Sequence, residues 1–251
     1  MSSKIVENGF NDSRALVTGA SSGIGRATAR KLASLGADVA IAARSEDSLE
    51  TVAETIGEEE DGDALAVPTD VTDESQVERM VSRTVEEFGG LDVVVSNAGT
   101  GRGGPIAEMT TEDYRAVTSV NVDGMFFTAR EVTPHLIEST GNLVLVGSSA
   151  GKFPRTEYPV YAASKWWTRG FALSLAGQLG RENVSVSVVN PGNTRTMFGS
   201  EYRDANRNSY DEGEALEAED IADAIAYAAS CTAPATIGEI DVVNRDAFSG
   251  M

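Results

Sequence analysis

The 251-residue chain has one cysteine, Cys231, and one histidine, His135. A single thiol excludes an internal disulfide. One histidine and one cysteine cannot form a metal-ligating cluster of the usual spacing. No histidine follows the serines of "GSSAG", which excludes a hydrolase with Ser…Asp…His order. There is no run of about 18 apolar residues, so no membrane-spanning helix is expected. The opening "MSSKIVENGFNDSR" lacks the apolar stretch of a secretory signal, and a cytoplasmic location is expected. Lysine is almost missing: Lys4, Lys31, Lys152 and Lys165 are the only four, and all other bases are arginine.

What is abundant is acid. Thirty-nine Asp and Glu stand against 20 Lys and Arg, a formal net charge of −19. Such a surface repels nucleic acid and anionic membranes, so neither is expected as a partner. It also repels itself, and salt screens that repulsion. The composition resembles that of proteins from salt-loving microbes. Two acidic runs, "GEEEDGD" (57–63) and "DEGEALEAED" (211–220), match no metal-loop pattern and read as solvated surface. No metal site is expected.

Short apolar runs alternate with segments of helical spacing. The runs are "ALVTG", "DVAIAA", "ALAVPTD", "LDVVVSNAG", "GNLVLVGSS", "VSVSVVNPG" and "GEIDVV". This alternation predicts an α/β fold of parallel strands with crossover helices covering both faces. Gly36 and Gly89 sit where helix C-caps are expected. Ligands in such sheets bind beyond the carboxyl ends of the strands. The whole chain, 1–251, reads as one domain, with residues 1–12 as a flexible tail.

"ALVTGASSGIGRATA" sets Gly19, Gly23 and Gly25 between the first strand and a helix. Side-chain-free positions there allow a tight turn and let a pyrophosphate approach the helix N-terminus. The second strand ends at Ala43 and Arg44, where a carboxylate would grip an NAD ribose. A guanidinium instead pairs with a 2′-phosphate, which favours NADP(H). If Arg44 stacks on the adenine ring, NAD(H) is accepted too.

Taken together, the motifs make the chain resemble a short-chain dehydrogenase/reductase of the roughly 250-residue type, from about Ser13 to Val243. They occur in the family's order: "TGASSGIG" (18–25), "DV" (70–71), "NAG" (97–99), Asn121, Ser148, "YAASK" (161–165) and "NPG" (190–192). The resemblance implies a Rossmann-type, doubly wound, seven-stranded parallel sheet in the order 3-2-1-4-5-6-7. It implies a dinucleotide site built from Gly19, Ser21, Ser22, Gly23, Ile24, Gly25, Arg44, Asp70, Val71, Asn97, Ala98, Gly99, Tyr161, Lys165, Pro191, Gly192, Thr194 and Thr196. In that reading Asp70 accepts from the adenine amino group and Thr196 meets the nicotinamide carboxamide. Ser96 and Thr194 depart mildly from the family's usual asparagine and aliphatic residue.

The same resemblance implies a catalytic tetrad of Asn121, Ser148, Tyr161 and Lys165. Tyr161 and Lys165, at i and i+4, share a helix face. An ammonium beside a phenol favours its ionised form, so Tyr161 is the expected acid or base. Tyr158 is seven residues from Lys165 and just before Pro159, which puts it at or outside the helix start. Ser148, thirteen residues before Tyr161, is favoured over Ser149 as the substrate's hydrogen-bond donor. Asn121 is expected to sit in a local helix distortion that holds a water next to Lys165. The segment 196–216 is the expected substrate loop, with Gly199 as a hinge and Met197, Phe198, Tyr202 and Tyr210 as large groups. Arg102 would either meet an anionic substrate or pair with a surface acid. Of the adjacent Trp166 and Trp167, one is expected to pack on the sheet and the other to enter a subunit contact. The implied substrate is a small carbonyl compound or secondary alcohol, possible members being small 3-hydroxy acids. The alternatives are a 3-oxoacyl-thioester reductase and a non-catalytic redox sensor. A homotetramer or dimer is the family default.

Overall fold

Each of the seven apolar runs forms a strand, and all pair in parallel. The computed structural model describes residues 9–198 and 206–247. Strands β1 (Arg14–Thr18), β2 (Asp38–Ala43), β3 (Ala64–Pro68), β4 (Val93–Ser96), β5 (Asn142–Val146), β6 (Ser185–Pro191) and β7 (Glu239–Val242) lie in the order β3-β2-β1-β4-β5-β6-β7. Successive side chains point to opposite faces, as the strand pleat requires. Ala15 and Val17 enter one apolar layer and Leu16 the other; Val93 and Val95 oppose Val94 in the same way.

Three helices cover the first face: α1 (Gly23–Ala33), α2 (Glu46–Glu59) and α7 (Ala218–Ala229), through Leu32, Ile56 and Ile225. For this numbering α3 is Glu74–Phe88, α4 is Thr111–Thr118, α5 is Met125–Ser139 and α6 is Pro159–Leu179. Helices α3, α5 and α6 bury Met80, Leu136 and Leu179 on the second face. Burying each such side chain contributes roughly 1.5–3 kcal/mol. Local chemistry sets the helix ends. Asp73 caps α3 by accepting from the Ser75 and Gln76 amides, and Gly89 closes it in the left-handed conformation at φ 77°. Thr110 and Asp113 cap α4 reciprocally.

Two sequence expectations shift. Helix α1 ends at Ala33 with Ser34 as its C-cap, so Gly36, at φ 92°, turns the chain two residues later. Residues 9–12 belong to the packed body rather than to a tail: Phe10 is buried and its amide donates to Leu35 O at 2.6 Å. A lone aromatic in a polar stretch has no periodic signal to announce it. Residues 1–8 lie outside the described residues. Trp167 stacks on Phe171 at 4.6 Å against the second layer, while Trp166 is exposed.

The strand order reverses between β1, which pairs with β2, and β4, which pairs with β5. Loops leaving the carboxyl ends of β1 and β4 therefore diverge to opposite faces and leave a crevice. No helix among the described residues is long and apolar enough to cross a membrane.

Candidate active site

A cleft of about 1200 Å³ opens at that switch point. This is room for a dinucleotide and a small substrate together.

One end is built from backbone. The Asn97 side chain donates to Thr18 O at 2.9 Å and to Gly19 O at 3.3 Å. In return, the Thr18 hydroxyl accepts from the Asn97 and Ala98 amides at 3.0 and 3.1 Å. These four bonds lock the β1 and β4 ends together. A Cβ on Gly19, at φ 69°, would lie 2.8 Å from the Asn97 amide nitrogen, so the close approach requires glycine. Gly25 serves another purpose. It is not on the cleft wall; a Cβ there would lie 2.2 Å from Gly19 O, so its role is to seat α1 on the loop.

Ser21, Ser22, Gly23 and Ile24 line the cleft. Ser22 is the N-cap of α1, but its side chain makes no capping bond. The first-turn amides thus face the cleft without a side-chain acceptor, a cradle suited to a phosphate. Arg44, the first residue beyond β2, lies exposed on the same wall. Asp70 also lines it, with Oδ1 accepting from the Thr72 amide and hydroxyl at 3.0 and 2.8 Å. Val71 packs against Gly124. The residues here fit a dinucleotide.

The other end is built from side chains. Residues Ser119–Gly124 form a π-helical turn, the expected distortion, and it turns Asn121 inward. Fully buried, Asn121 accepts from the Thr100 amide at 2.9 Å and donates to Thr100 O at 2.9 Å and to Ser164 Oγ at 3.0 Å. Ser164 then donates to Tyr161 O at 2.7 Å. Sequence reasoning missed Ser164. A serine directly before a lysine, on a helix that also carries Thr168 and Arg169, gives no sequence signal that would single it out.

Lys165 is 4% exposed and donates to Val146 O at 2.9 Å. Its Nζ lies 5.9 Å from the centre of the Tyr161 ring. Burial pushes its pKa from 10.5 down to about 8. Ser148 follows two residues after Val146. Its Oγ accepts from the Ala150 amide at 3.1 Å, which leaves the hydroxyl proton to donate into the cleft. Ser149 also lines the cleft, but its Oγ accepts from Arg155 at 3.1 Å. Tyr158 is the N-cap residue of α6, and its ring packs against Gly103.

Pro191 and Gly192 end β6 on the cleft wall. Thr194 is buried and bridges to Leu216, and the Thr196 hydroxyl accepts from the Phe198 amide at 3.2 Å. The Phe198 ring sits 5.6 Å from that of Tyr161. Of the expected substrate loop, Gly199 and Tyr202 lie outside the described residues. The chain resumes in a one-turn helix, Asn206–Ser209, with the Asn206 amide donating to Phe198 O at 3.2 Å. Arg102 is on the wall, 3.8 Å from Asp113, as the surface-acid alternative expected.

A charged network that sequence reading also missed lies behind the cleft. Arg169, one turn beyond Lys165, binds Glu239 through two bonds of 2.7 and 3.0 Å. Asn190 donates to Glu239 at 2.7 Å and Asp241 at 2.9 Å, and Lys152 binds Asp241 at 2.6 Å. The Arg169 hydrogen bonds hold the Glu239 carboxyl below its usual range, and Asp241 raises the Lys152 ammonium.

The short chain dehydrogenase family profile matches residues 13–207. The chain belongs to that family. It is 32% identical, over 93% of its length and 97% of the relative's, to an uncharacterized oxidoreductase of Staphylococcus aureus strain MRSA252. A dehydrogenase/reductase from Sinorhizobium meliloti superposes with a TM-score of 0.84 at 30% identity, covering 96% and 98% of the two chains. A short chain dehydrogenase from Burkholderia cenocepacia in complex with NADP gives 0.84 at 32% identity, covering 94% and 98%. A 3-ketoacyl-(acyl-carrier-protein) reductase from Brucella melitensis complexed with NADH gives 0.83 at 30%, covering 93% and 98%. The chain is thus a short-chain dehydrogenase/reductase enzyme with the family's sheet order. The staphylococcal relatives lend no support to the salt-loving source expected from composition. Among the described residues no cluster of possible metal ligands occurs.

Proposed function

We propose that this enzyme transfers a hydride between NADP(H) and a small carbonyl compound or secondary alcohol. The observation that carries this reading is the meeting of Ser148, Tyr161 and Lys165 at one end of a cleft whose other end holds Arg44. A bound nicotinamide supplies or accepts the hydride. Tyr161 donates a proton to the carbonyl oxygen in reduction and removes it in oxidation. Lys165 stays buried beside the ring, where its ammonium favours the phenolate. Ser148 donates to the same oxygen as charge develops there. Asn121 acts through others: it ties the loop after β4 to α6 and so fixes where the tyrosine stands. At the other end, the α1 N-terminus and Gly19–Ile24 take the pyrophosphate, and Arg44 takes a 2′-phosphate in preference to NAD(H). Asp70, Val71 and Asn97–Gly99 take the adenosine half, and Pro191, Gly192, Thr194 and Thr196 the nicotinamide half.

The Brucella neighbour keeps a 3-oxoacyl-thioester reductase as the second reading. A homo-oligomer, dimer or tetramer, is supported by exposed Tyr114, Phe126, Trp166 and Leu173 on α4, α5 and α6. A redox sensor without turnover would not need this tyrosine and lysine.

The deciding experiment is Tyr161→Phe. Turnover of NADPH with a carbonyl panel should fall about 10²–10⁴-fold, while NADPH still binds by fluorescence titration. Equal turnover in variant and wild type would overturn the assignment. Binding without turnover in the wild type would favour the sensor.

A further inference from the structure

The reacting groups stand on two segments. Ser148 follows β5, whereas Tyr161 and Lys165 stand on α6. Lys165 joins the two directly by donating to Val146 O at 2.9 Å. A second connection runs behind the cleft through Glu239, the first residue of β7. Its Oε1 accepts from Arg169 Nε at 2.7 Å and from Asn190 Nδ2 at 2.7 Å, and its Oε2 accepts from Arg169 Nη2 at 3.0 Å. Arg169 lies one turn beyond Lys165, so this pair pins the helix that carries Tyr161 and Lys165.

Asn190 leads the other way. It is buried, and its Nδ2 donates to Glu239 and Asp241. The grip of two carboxylates on the amide nitrogen turns Oδ1 onto Gly147, where a Cβ would lie 2.2 Å from it. That Oδ1 accepts no hydrogen bond among the described residues, so its place is set from the nitrogen side. Gly147 stands between Val146 and Ser148, and its amide donates to Val189 O at 2.8 Å. Asn190 thus packs directly behind the residue that presents Ser148. Lys152, just past the turn Ser149–Gly151, is the outermost and longest tie, 3.4 Å from Glu239.

A comparable ion pair lies at the other end of the sheet. Arg14 and Asp92 join the amino ends of β1 and β4 through bonds of 2.6 and 2.8 Å. Their side chains are 29% and 26% exposed, against 31% and 20% for Arg169 and Glu239. The two pairs match in chemistry and differ in what they hold.

Resting on the hydride-transfer reading above, we propose that Glu239 is a positioning residue. Through Arg169 and Asn190 it sets the Tyr161–Lys165 helix face against Ser148, so that both hydroxyls reach one substrate oxygen. Such alignment acts on the chemical step, where a misplacement of about 1 Å can cost about 10²-fold.

The test is Glu239→Gln, which keeps the shape and removes the charge. Its kcat at saturating NADPH and carbonyl substrate should fall about 10–100-fold, with the Kd of NADPH by fluorescence titration within about twofold. Asp92→Asn, which breaks the comparison pair, should keep kcat within about twofold. Arg169→Gln should reproduce the loss, Arg169→Lys should retain part of the activity, and the Glu239→Gln/Arg169→Gln double variant should be no worse than either single. A second measurement needs no turnover. In protein isotope-labelled on its four lysines, the NMR signal missing from Lys165→Met is that of Lys165. It should titrate at about 8 in the wild type and closer to 10.5 in Glu239→Gln, because a loosened helix admits water. Loss of the Glu239 charge alone would move it the opposite way. If kcat of Glu239→Gln stays within about twofold of wild type, or Asp92→Asn loses as much, Glu239 is a structural tie and the inference falls while the hydride-transfer reading stands. If the wild type turns over no carbonyl compound, the hydride-transfer reading falls and the Lys165 titration decides the brace alone. A rise in Glu239→Gln with none in Asp92→Asn then upholds it, and no rise overturns it.

Discussion

Lys165 and Lys152 are two of only four lysines, and they sit in opposite environments. Lys165 lies in a cluster of neutral groups: a backbone carbonyl, Asn121, Ser164 and Tyr161. Lys152 lies among carboxylates, with Asp241 at 2.6 Å and Glu239 at 3.4 Å. Burial lowers the first to about 8, whereas the Asp241 hydrogen bond raises the second. A lysine among neutral partners holds its proton loosely near working pH, which suits chemistry. A lysine among carboxylates is always charged, which suits holding β7 against the cleft floor. Side-chain type is the same; the partners decide the use.

The largest expected effect comes from Lys165→Met. Turnover should drop about 10²–10⁴-fold. The melting temperature should hold or rise, because an ammonium buried without a counter-charge costs stability. A fall of several degrees would make Lys165 a structural tie and break the contrast. Next is Asn121→Ala, which strands the Thr100 amide and carbonyl and should cost about 2–4 kcal/mol in denaturant unfolding. A loss under about 0.5 kcal/mol would mean the π-helical turn relaxes without it.

The pH dependence sharpens the comparison further. Lys165 has a folded pKa of about 8 against 10.5 for an ordinary lysine. Between those values the unfolded chain binds a proton that the folded chain lacks, so stability from this group rises with pH across that window and is flat below it. Reduction rates should decline above about pH 8, as the ammonium is lost. Stability that does not rise in wild type relative to Lys165→Met between pH 8 and 10.5 would contradict the burial effect. The smallest effect is Lys152→Met: about 1 kcal/mol of stability, since the pair is partly exposed, and turnover within about threefold. A turnover loss as large as that of Lys165→Met would erase the distinction between the two.

Much of this was legible beforehand because it is local. Seven apolar runs became seven strands, and the i, i+4 spacing set Tyr161 and Lys165 on one helix. The distortion at Asn121 was implied by the family resemblance, since a single asparagine in mid-helix carries only a weak propensity signal. Phe10 was misread as tail because one aromatic has no period. Ser164 was missed because serine before a lysine carries no pattern.

The sequence by itself determined the order of strands and helices, the glycine turn after β1 and the one-turn spacing of Tyr161 and Lys165, since each rests on residues close together in the chain. Only the tertiary structure decided that Lys165 is buried with no carboxylate beside it among the described residues, that Asn121 meets Ser164 from 43 residues away, and that Asn190 meets Glu239 and Asp241 from 49 and 51 residues away. Those depend on which loops the sheet order brings side by side, and no local spacing encodes a partner that distant.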